Sequence, residues 1–378
     1  MSNAPTASAL GDLRILDFSR VLAGPFATMM LGDLGAEVIK IERPGVGDET
    51  RSWGPPSDQH GNATYFQAVN RNKRSVVLDL SSEAGRTRAR QLAASVDVVV
   101  ENFRPGVMDE LGLGYETLSA SHPGLVFCSI TGFGAGDGAR LPGYDLLVQA
   151  VGGLMSITGA PDSAPQKVGV AVVDVLAGLF ASVGILAALR HRDATGEGQH
   201  VQVDLFSSLL AALVNQGSGF TIAGVVPARM GNAHPSISPY ELYETGAGQL
   251  VLAVGNERQF AALCDVLGAP ELAADLRFAG NRARVEHREA LTHELVQRLR
   301  SAPATEWAAR LTDARVPAGV VNDIAGAFEL ARTLGLQPII DVPGPDGSVV
   351  PLTRNPIGLS RTPPSYRSPP PALPDELT

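Results

Sequence analysis

The residue best suited to chemistry is Asp174, the single ionisable residue within an apolar stretch covering residues 168–189. Residues 168–173 alternate β-branched side chains and predict a strand, and residues 175–189 predict a helix. The dipole and free N–H groups of a helix N-terminus favour an ionised carboxylate, whereas apolar surroundings oppose ionisation. A poorly hydrated carboxylate of this kind is a usable nucleophile. The same pattern also fits an aspartate that only caps a buried helix.

Basic residues near strand ends are a second group of candidates. They are Arg43, Lys73, Arg74 and Arg104, which lie at or near the ends of predicted strands or in the loops that follow. Ligands of open α/β sheets bind at the carboxyl ends of strands, where Arg or Lys can hold phosphate. A solvated surface charge is the alternative for each of them.

Several other chemistries lack their motifs. Of seven histidines, only His234 lies in a glycine-rich loop, no two have the H-x-x-x-H spacing and C-x-x-C is absent, so we expect no metal site. The G-x-S-x-G turn of the α/β-hydrolases is missing. No G-x-G-x-x-G follows the first strand, which argues against a nicotinamide or flavin dinucleotide site.

The elements that must position these residues alternate between strand and helix. Strands are predicted at residues 13–18, 37–41, 75–80, 96–101, 125–130 and 199–203, and helices at 23–35, 82–95 and 205–215. Such alternation predicts an α/β fold with a parallel sheet and helices on its faces.

The second half of the chain differs in composition. Residues 225–239 are rich in Gly, Pro, Asn and Ser, as in a linker or functional loop. A strand at 249–254, a helix at 257–267 and shorter patterns to about residue 324 predict a smaller domain. Residues 338–351 predict a turn-rich hairpin, and the proline-rich residues 363–374 predict an extended tail.

Composition narrows the class of protein. The net charge of −9 argues against nucleic acid as a partner, and 44% hydrophobic with 18% charged residues predicts extensive burial, including between subunits. The apolar stretch at 168–189 could span a bilayer, but its aspartate and β-branched start favour a fully buried strand and helix, so we expect no membrane partner. Cys128 and Cys264 cannot form a disulfide framework, and residues 1–12 lack a signal peptide, so we expect a cytoplasmic location.

Several runs of sequence occur in an order typical of one family. They are LDFSRVLAGPFATMMLGDLGAEVIKIERPGVGDETRSWGPP (16–56), NRNKRSVVLDL (70–80), VVVENFRPGVMDELGLGYE (98–116), SITGFGAGDGARLPGYD (129–145), GVAVVDVLAGLFASVGILAALRHRDATGEGQHVQVDLF (169–206) and GNAHPSISPYELYET (231–245). The chain resembles the class III CoA-transferase family, which includes formyl-CoA transferase, carnitine CoA-transferase and α-methylacyl-CoA racemase. The resemblance covers nearly the whole chain.

The resemblance implies an architecture. We expect a large Rossmann-like, CoA-binding domain at residues 1–215, a linker with a glycine-rich loop at 216–235, and a smaller α+β domain at 236–330. Residues 331–378 would return to the large domain, and two subunits would form an interlocked homodimer.

The resemblance also implies a mechanism. Asp174 falls at the family's nucleophilic aspartate, which attacks an acyl-CoA thioester to give a mixed anhydride and then an aspartyl-CoA thioester. Coenzyme A and acyl-CoA would be substrates, and we expect no tightly bound cofactor. The loop around Gly231 is similar to the family's loop that closes over the aspartate.

Further positions are similar to the family's CoA contacts. They are Val21, Leu22, Arg43, Leu78, Asn102, Phe103, Arg104, Tyr144 and Asp145, of which the last two would line the thioester end.

Differences from individual branches of the family narrow the choice of reaction. Tyr144 stands where the racemase branch has histidine, so one acid/base group is missing and Glu257 lacks its racemase partner. Leu22 replaces a glutamine of the formyl-CoA branch, and Glu110 an arginine. The run GDETRSWGPP (47–56) is most similar to members of the family that use dicarboxylates. Arg51, within this run, could pair with the distal carboxylate of such a substrate.

Three hypotheses follow. The leading one is a CoA-transferase that moves coenzyme A from a short dicarboxyl-CoA, such as succinyl-CoA, to a carboxylic acid acceptor. The alternatives are an α-methylacyl-CoA racemase or epimerase, and a CoA-binding protein without turnover.

Overall fold

The structure is a computed structural model that describes residues 8–345 and 347–374. The chain divides into two compact units. Unit 1 comprises Met1–Leu154, Lys167–Val225 and Gln337–Thr378, and unit 2 comprises Met155–Gln166 and Val226–Leu336. The domain boundaries expected from the sequence stay a prediction, and their outer ends, residues 1–7 and 375–378, lie outside the described residues. Residues 1–7 are also part of the segment 1–12 that was searched for a signal peptide.

Unit 1 is built on a six-stranded sheet in which every neighbouring pair is parallel. Its strands are β1 (Arg14–Asp17), β2 (Glu37–Glu42), β3 (Lys73–Val77), β4 (Val98–Glu101), β5 (Val126–Thr131) and β6 (His200–Asp204). They lie in the order β3-β2-β1-β4-β5-β6. The parallel sheet predicted from the alternation of elements is confirmed.

The sheet is apolar on both faces, which is why its strands read as continuous hydrophobic runs. Ile15 of β1 belongs to the core cluster on one face, and its neighbour Leu16 belongs to the cluster on the other. The helices of unit 1 are α1 (Ala23–Asp33), α2 (Thr64–Ala68), α3 (Glu83–Ala93), α4 (Val107–Glu110), α5 (Tyr115–Ser119), α6 (Asp145–Val151), α8 (Val172–Thr195), α9 (Leu205–Ala212) and α10 (Val214–Ala223). The short helix α7 (Leu154–Ile157) begins at the last residue of this part of unit 1 and continues into unit 2. Two 3-10 helices, Glu49–Ser52 and Asp137–Arg140, lie in the connecting loops.

Helix α8 corrects two expectations. The strand predicted at 168–173 is wrong, because the Gln149 side chain accepts a hydrogen bond from the Val168 N–H (2.9 Å) and the helix already begins at Val172. The helix is also not fully buried: 44% of its most apolar window is buried. By length and composition it could cross a membrane, although the core helix of a protein outside a membrane has the same properties.

The buried face of α8 packs against α1. A Cβ at Gly178 would lie only 2.6 Å from the Ala23 carbonyl oxygen, so glycine permits the close crossing of the two helices. The exposed face carries large apolar side chains, which are Leu179, Phe180, Val183 and Leu186. The helix ends at Gly196, which has a left-handed φ of 82°.

The C-terminal part of unit 1 packs against the start of the chain. Strands β10 (Ile339–Pro343) and β11 (Val349–Thr353) pair antiparallel, which confirms the predicted hairpin. Beyond it, the Arg367 guanidinium donates hydrogen bonds to the carbonyl oxygens of Gly32, Gly35 and Ala36 at the end of α1.

Unit 2 has an antiparallel sheet of β7 (Tyr240–Glu244), β8 (Gln249–Ala253) and β9 (Ala318–Val320). Its helices are α11 (Glu257–Val266), α12 (Pro270–Ala274), α13 (Asn281–Glu286), α14 (Arg288–Leu299), α15 (Ala304–Asp313) and α16 (Ile324–Thr333). Its separate core includes Leu250, Phe260 and Trp307, so each unit has a hydrophobic core of its own.

Candidate functional site

The turn after β1 is held by side chains from the neighbouring strand ends. Asn102, directly after β4, accepts a hydrogen bond from the Arg20 N–H (2.8 Å) and donates one to the Arg20 carbonyl (2.7 Å). The Arg20 guanidinium pairs with Glu49 (2.6 Å) and lies over the Phe103 ring. The structure therefore brings together the segments that follow β1, β2 and β4, and the Asn102 amide is already bound to the turn after β1.

Val21 occupies a strained position in the same turn. Its φ of 68° is unusual for a β-branched residue. The Asp48 carboxylate accepts a hydrogen bond from the Val21 N–H (3.3 Å), and the Lys40 ammonium bonds both Asp48 (2.9 Å) and the Ser19 carbonyl (2.9 Å). A fully buried ion pair thus fixes the backbone conformation that presents Val21 and Leu22.

Lys73 and Arg74 are not at a carboxyl edge, which corrects their proposed role in phosphate binding. They begin β3, because this strand lies at Lys73–Val77 and not at 75–80. The fully buried Lys73 ammonium bonds Asp17 (3.1 Å), and Arg74 lies 3.8 Å from Glu37. Burial lowers the pKa of Lys73 to about 8.

Asp174 is the third residue of α8, in its first turn. Its side chain is partly buried, and burial, together with the negative charge of Asp145, raises the pKa of Asp174 to about 7. The carboxylate therefore ionises near neutral pH, as a nucleophile with substantial basicity does.

Asp145 begins α6 and faces the start of α8. Its Oδ1 accepts hydrogen bonds from the N–H groups of Val173 (2.7 Å) and Asp174 (3.3 Å). Its Oδ2 accepts a hydrogen bond from the Gln149 amide (2.6 Å). The preceding residue, Tyr144, is 65% exposed. Of the two residues predicted to line the thioester end, Asp145 therefore contacts the backbone of α8 directly.

Tyr65 is a member of this site that the sequence analysis missed. It is partly buried on α2, and its ring packs edge-on against Trp53 (5.4 Å between centroids). Burial and the negative charges of Asp174 and Asp145 raise the pKa of Tyr65, so the phenol interacts electrostatically with both carboxylates. Its short helix carries no periodic pattern, and no motif in the sequence analysis included Tyr65.

The other predicted CoA contacts differ from one another in how exposed their side chains are. Arg43 is exposed after β2, whereas the Leu78 side chain is buried in the core, so Leu78 could contact a ligand only through its backbone. Arg104, exposed after β4, lines a cavity of about 360 Å³ with Glu101 and His200. Burial raises the pKa of Glu101 to about 7. Asp174 does not line this cavity.

Arg51 is held by groups of the protein, and its pairing with a substrate carboxylate stays a prediction. Its guanidinium forms two hydrogen bonds with Glu42, each 2.7 Å long, and a third with the Pro371 carbonyl (3.0 Å). It also lies over the Phe66 ring.

The predicted residues of unit 2 have local partners. His234 accepts a hydrogen bond from the Ser236 N–H (3.1 Å). Glu257 pairs with the buried Arg284 (2.6 Å). The Gly231 N–H, in the glycine-rich loop, donates to the Gly159 carbonyl (3.0 Å).

Two further expectations concern cysteines and metals. Cys128 and Cys264 are both buried free thiols, one in each unit, which agrees with the lack of a disulfide framework. Within residues 8–345 and 347–374, no group of three His, Cys, Asp or Glu side chains is arranged to hold a metal ion.

Comparison with known proteins gives a consistent result. The profile of CoA-transferase family III matches residues 10–376. The chain is 44% identical over 375 residues to the succinate–glutarate CoA-transferase of Agrobacterium fabrum, covering 96% of this chain and 92% of that protein. It is 40% identical to the succinyl-CoA:glutarate CoA-transferase of Mus musculus, covering 98% and 85%.

Solved structures agree over the same length. A CAIB/BAIF family protein from Brucella suis superposes with a TM-score of 0.85 at 43% identity, covering 97% of each chain. Rv3272 from Mycobacterium tuberculosis superposes with a TM-score of 0.87 at 31% identity, covering 98% of each. With a family profile that spans nearly every residue and relatives above 40% identity, this chain belongs to CoA-transferase family III and is an enzyme that transfers coenzyme A.

Proposed function

We propose that the enzyme transfers coenzyme A from a short dicarboxyl-CoA, such as succinyl-CoA, to a carboxylic acid acceptor, with Asp174 as the nucleophile. The observation that carries this proposal is a partly buried carboxylate in the first turn of α8 whose pKa is raised to about 7. The relatives named for succinate and glutarate support dicarboxylates as substrates.

The reaction exchanges one activated acyl bond for another. A carboxylate oxygen of Asp174 attacks the thioester carbonyl, the C–S bond breaks, and a mixed anhydride and coenzyme A thiolate form. The thiolate then attacks the Asp174 carbonyl of the anhydride, which releases the donor acid and leaves an aspartyl-CoA thioester. The acceptor carboxylate enters by the reverse sequence, regenerating Asp174. No ATP is needed because each intermediate remains activated.

Tyr144 favours transfer over racemisation. An α-proton exchange requires a second acid/base group beside the aspartate, and the exposed phenol at this position replaces the histidine of the racemase branch. Glu257, which would orient such a histidine, is bound to Arg284.

Coenzyme A is proposed to bind at the carboxyl ends of β1, β2 and β4, where Val21, Leu22, Arg43 and residues 102–104 lie. The strand order of unit 1 supports a Rossmann-like arrangement, whose ligands bind at this edge. Leu78, Tyr144 and Asp145 remain proposed contacts of the same ligand, and the cytoplasm remains the proposed location.

The assembly is proposed to be an interlocked homodimer. The exposed apolar face of α8, together with Val214 (71% exposed) and Ile222 (85% exposed) on α10, supports burial by a second copy. A homodimeric mass by light scattering at micromolar concentration is the expected result, and a monomeric mass contradicts this part of the proposal.

The decisive experiment mixes the enzyme with succinyl-CoA and a panel of mono- and dicarboxylates, and follows new thioesters by mass spectrometry. Asp174→Ala is expected to abolish transfer while retaining the far-UV circular dichroism of the parent. Asp193→Asn, an exposed aspartate of the same helix, is the matched control and should retain transfer. Substantial activity in Asp174→Ala refutes the nucleophile.

Two further measurements separate the alternatives. Hydroxylamine added during turnover should convert Asp174 alone to a hydroxamate, which a CoA-binding protein without turnover would not form. Incubation of an α-methylacyl-CoA in deuterated water should leave the α-proton unexchanged, whereas a racemase would replace it with deuterium.

A further inference from the structure

We propose that Asp145 is a positioning residue: its carboxylate caps α8 from outside that helix and thereby fixes the backbone from which Asp174 projects. The role rests on the proposed function of Asp174 as nucleophile. It is distinct from the CoA contact predicted for Asp145, because it acts on the protein backbone.

The start of α8 lacks a cap of its own. An α-helix begins with N–H groups that have no partner within the helix, and a side chain at the N-cap position normally satisfies one of them. The N-cap residue of α8 is Ala171, which makes no side-chain cap. Asp145, from α6, supplies the missing acceptor through its bonds to the N–H groups of Val173 and Asp174.

This arrangement also explains why Asp174 is free to react. A carboxylate at the third helical position can itself turn back to cap the helix. Here Asp145 accepts hydrogen bonds from the N–H groups of Val173 and Asp174, so the start of the helix does not depend on Asp174 as its cap. Capping and nucleophilic attack are thus assigned to different carboxylates.

Asp145 is in turn held in place. Gln149, one helical turn further along α6, donates to its second oxygen (2.6 Å) and bonds the Val168 N–H (2.9 Å) with its carbonyl. The segment leading into α8 and the helix cap are therefore fixed by one hydrogen-bonded unit. A displacement of about 1 Å at a reacting group can cost about 100-fold in rate.

Asp145 also places a negative charge beside the nucleophile. Among the described residues, the titratable groups that interact electrostatically with Asp174 are Asp145 from α6 and the Tyr65 phenol from α2, and that phenol also interacts with Asp48. The charge of Asp145 disfavours ionisation of Asp174, so its removal should lower the pH at which Asp174 ionises.

Three substitutions separate the cap from the charge. Asp145→Asn keeps an oxygen acceptor but removes the charge, Asp145→Ser keeps a smaller neutral cap, and Asp145→Ala removes both. For Asp145→Asn and Asp145→Ser we expect the acidic limb of the plot of kcat/KM against pH to move to lower pH by about one unit. For Ala we expect kcat to fall about 10- to 100-fold. Asp193→Asn is the control and should reproduce the parent profile.

A readout without turnover keeps this inference separate from the proposed function. The urea midpoint of each protein is measured at several pH values, and the effect of Asp174→Asn on that midpoint is plotted against pH. This is done once in the parent and once in the Asp145→Asn background. The pH at which this effect is half complete should be lower in the Asp145→Asn background than in the parent, whether or not the protein transfers coenzyme A. Coincident curves, or kcat values in Asp145→Ala equal to the parent, overturn the inference.

Discussion

Replacing Asp174 by asparagine should make the protein more stable above neutral pH. The pKa of this carboxyl is raised from 3.8 to about 7, mainly by burial. Because the charged form is disfavoured in the folded chain, its ionisation opposes folding. Each pH unit of difference between the folded and unfolded pKa corresponds to about 1.4 kcal/mol, which gives an upper limit of about 4 kcal/mol. Since the side chain is only partly buried, we expect about 2–4 kcal/mol.

The sign of the pH dependence follows from the direction of this pKa change. A raised pKa gives stability that is fully present below pH 3.8 and is lost as the pH rises through about 7. Asparagine does not ionise, so Asp174→Asn avoids the loss. We therefore expect its urea midpoint to exceed that of the parent at about pH 8 and to approach it below about pH 4.

Urea unfolding followed by circular dichroism at several pH values measures this difference. Asp193→Asn changes an exposed aspartate of the same helix and should alter the free energy of unfolding by less than about 0.5 kcal/mol at every pH. A difference between parent and Asp174→Asn that does not vary from about pH 4 to about pH 8 would show that the Asp174 carboxyl ionises as it does in water. That result would refute the proposed environment of the nucleophile.

Three other substitutions test the surrounding structure. Val21→Gly should raise the thermal midpoint by relieving about 1 kcal/mol of strain at a φ of 68°, and a lowered midpoint would contradict that strain. Asp48→Asn should cost about 3 kcal/mol in urea unfolding because Lys40 keeps its charge in a fully buried position, and a cost below 1 kcal/mol would indicate that the ammonium finds another partner. Glu257→Gln should cost about 1 kcal/mol through its bond to Arg284 and leave transfer rates unchanged; a large loss of rate would give Glu257 a catalytic role.

The sequence predicted the sheet well because local patterns determine it. Strands that are buried on both faces read as apolar runs, and helices between them require parallel pairing, so β1, β2, β4, β5 and β6 were located to within two residues. The ends of β3 were misplaced because its first residues are charged: Lys73 reads as a loop residue, although its ammonium is paired inside the protein.

The candidate site was predicted only in part, since its members meet through tertiary packing. Asp174 could be recognised because a single acid within a long apolar run is unusual. The capping bonds of Asp145 and the position of Tyr65 depend on how α2 and α6 pack beside α8, which no periodicity encodes. The buried ion pair between Lys40, in the apolar run EVIKI, and Asp48 was not predicted, because Asp48 lies in a loop that no local pattern connects to the strand.

The buried charges of unit 1 differ in a way that bears on function. Burial opposes ionisation of Asp17 and Asp48, but the buried lysines Lys73 and Lys40, together with hydrogen bonds from neighbouring Ser and Thr groups, outweigh it and lower the pKa of both carboxyls. Asp174 forms no ion pair within the described part of the chain, and a second carboxylate lies beside it. A cation there would stabilise the protein, yet it would also lower the basicity of the carboxylate oxygen that is proposed to attack the thioester. The reduced stability at Asp174 is therefore what a carboxylate nucleophile requires, whereas the paired aspartates are suited to holding the fold.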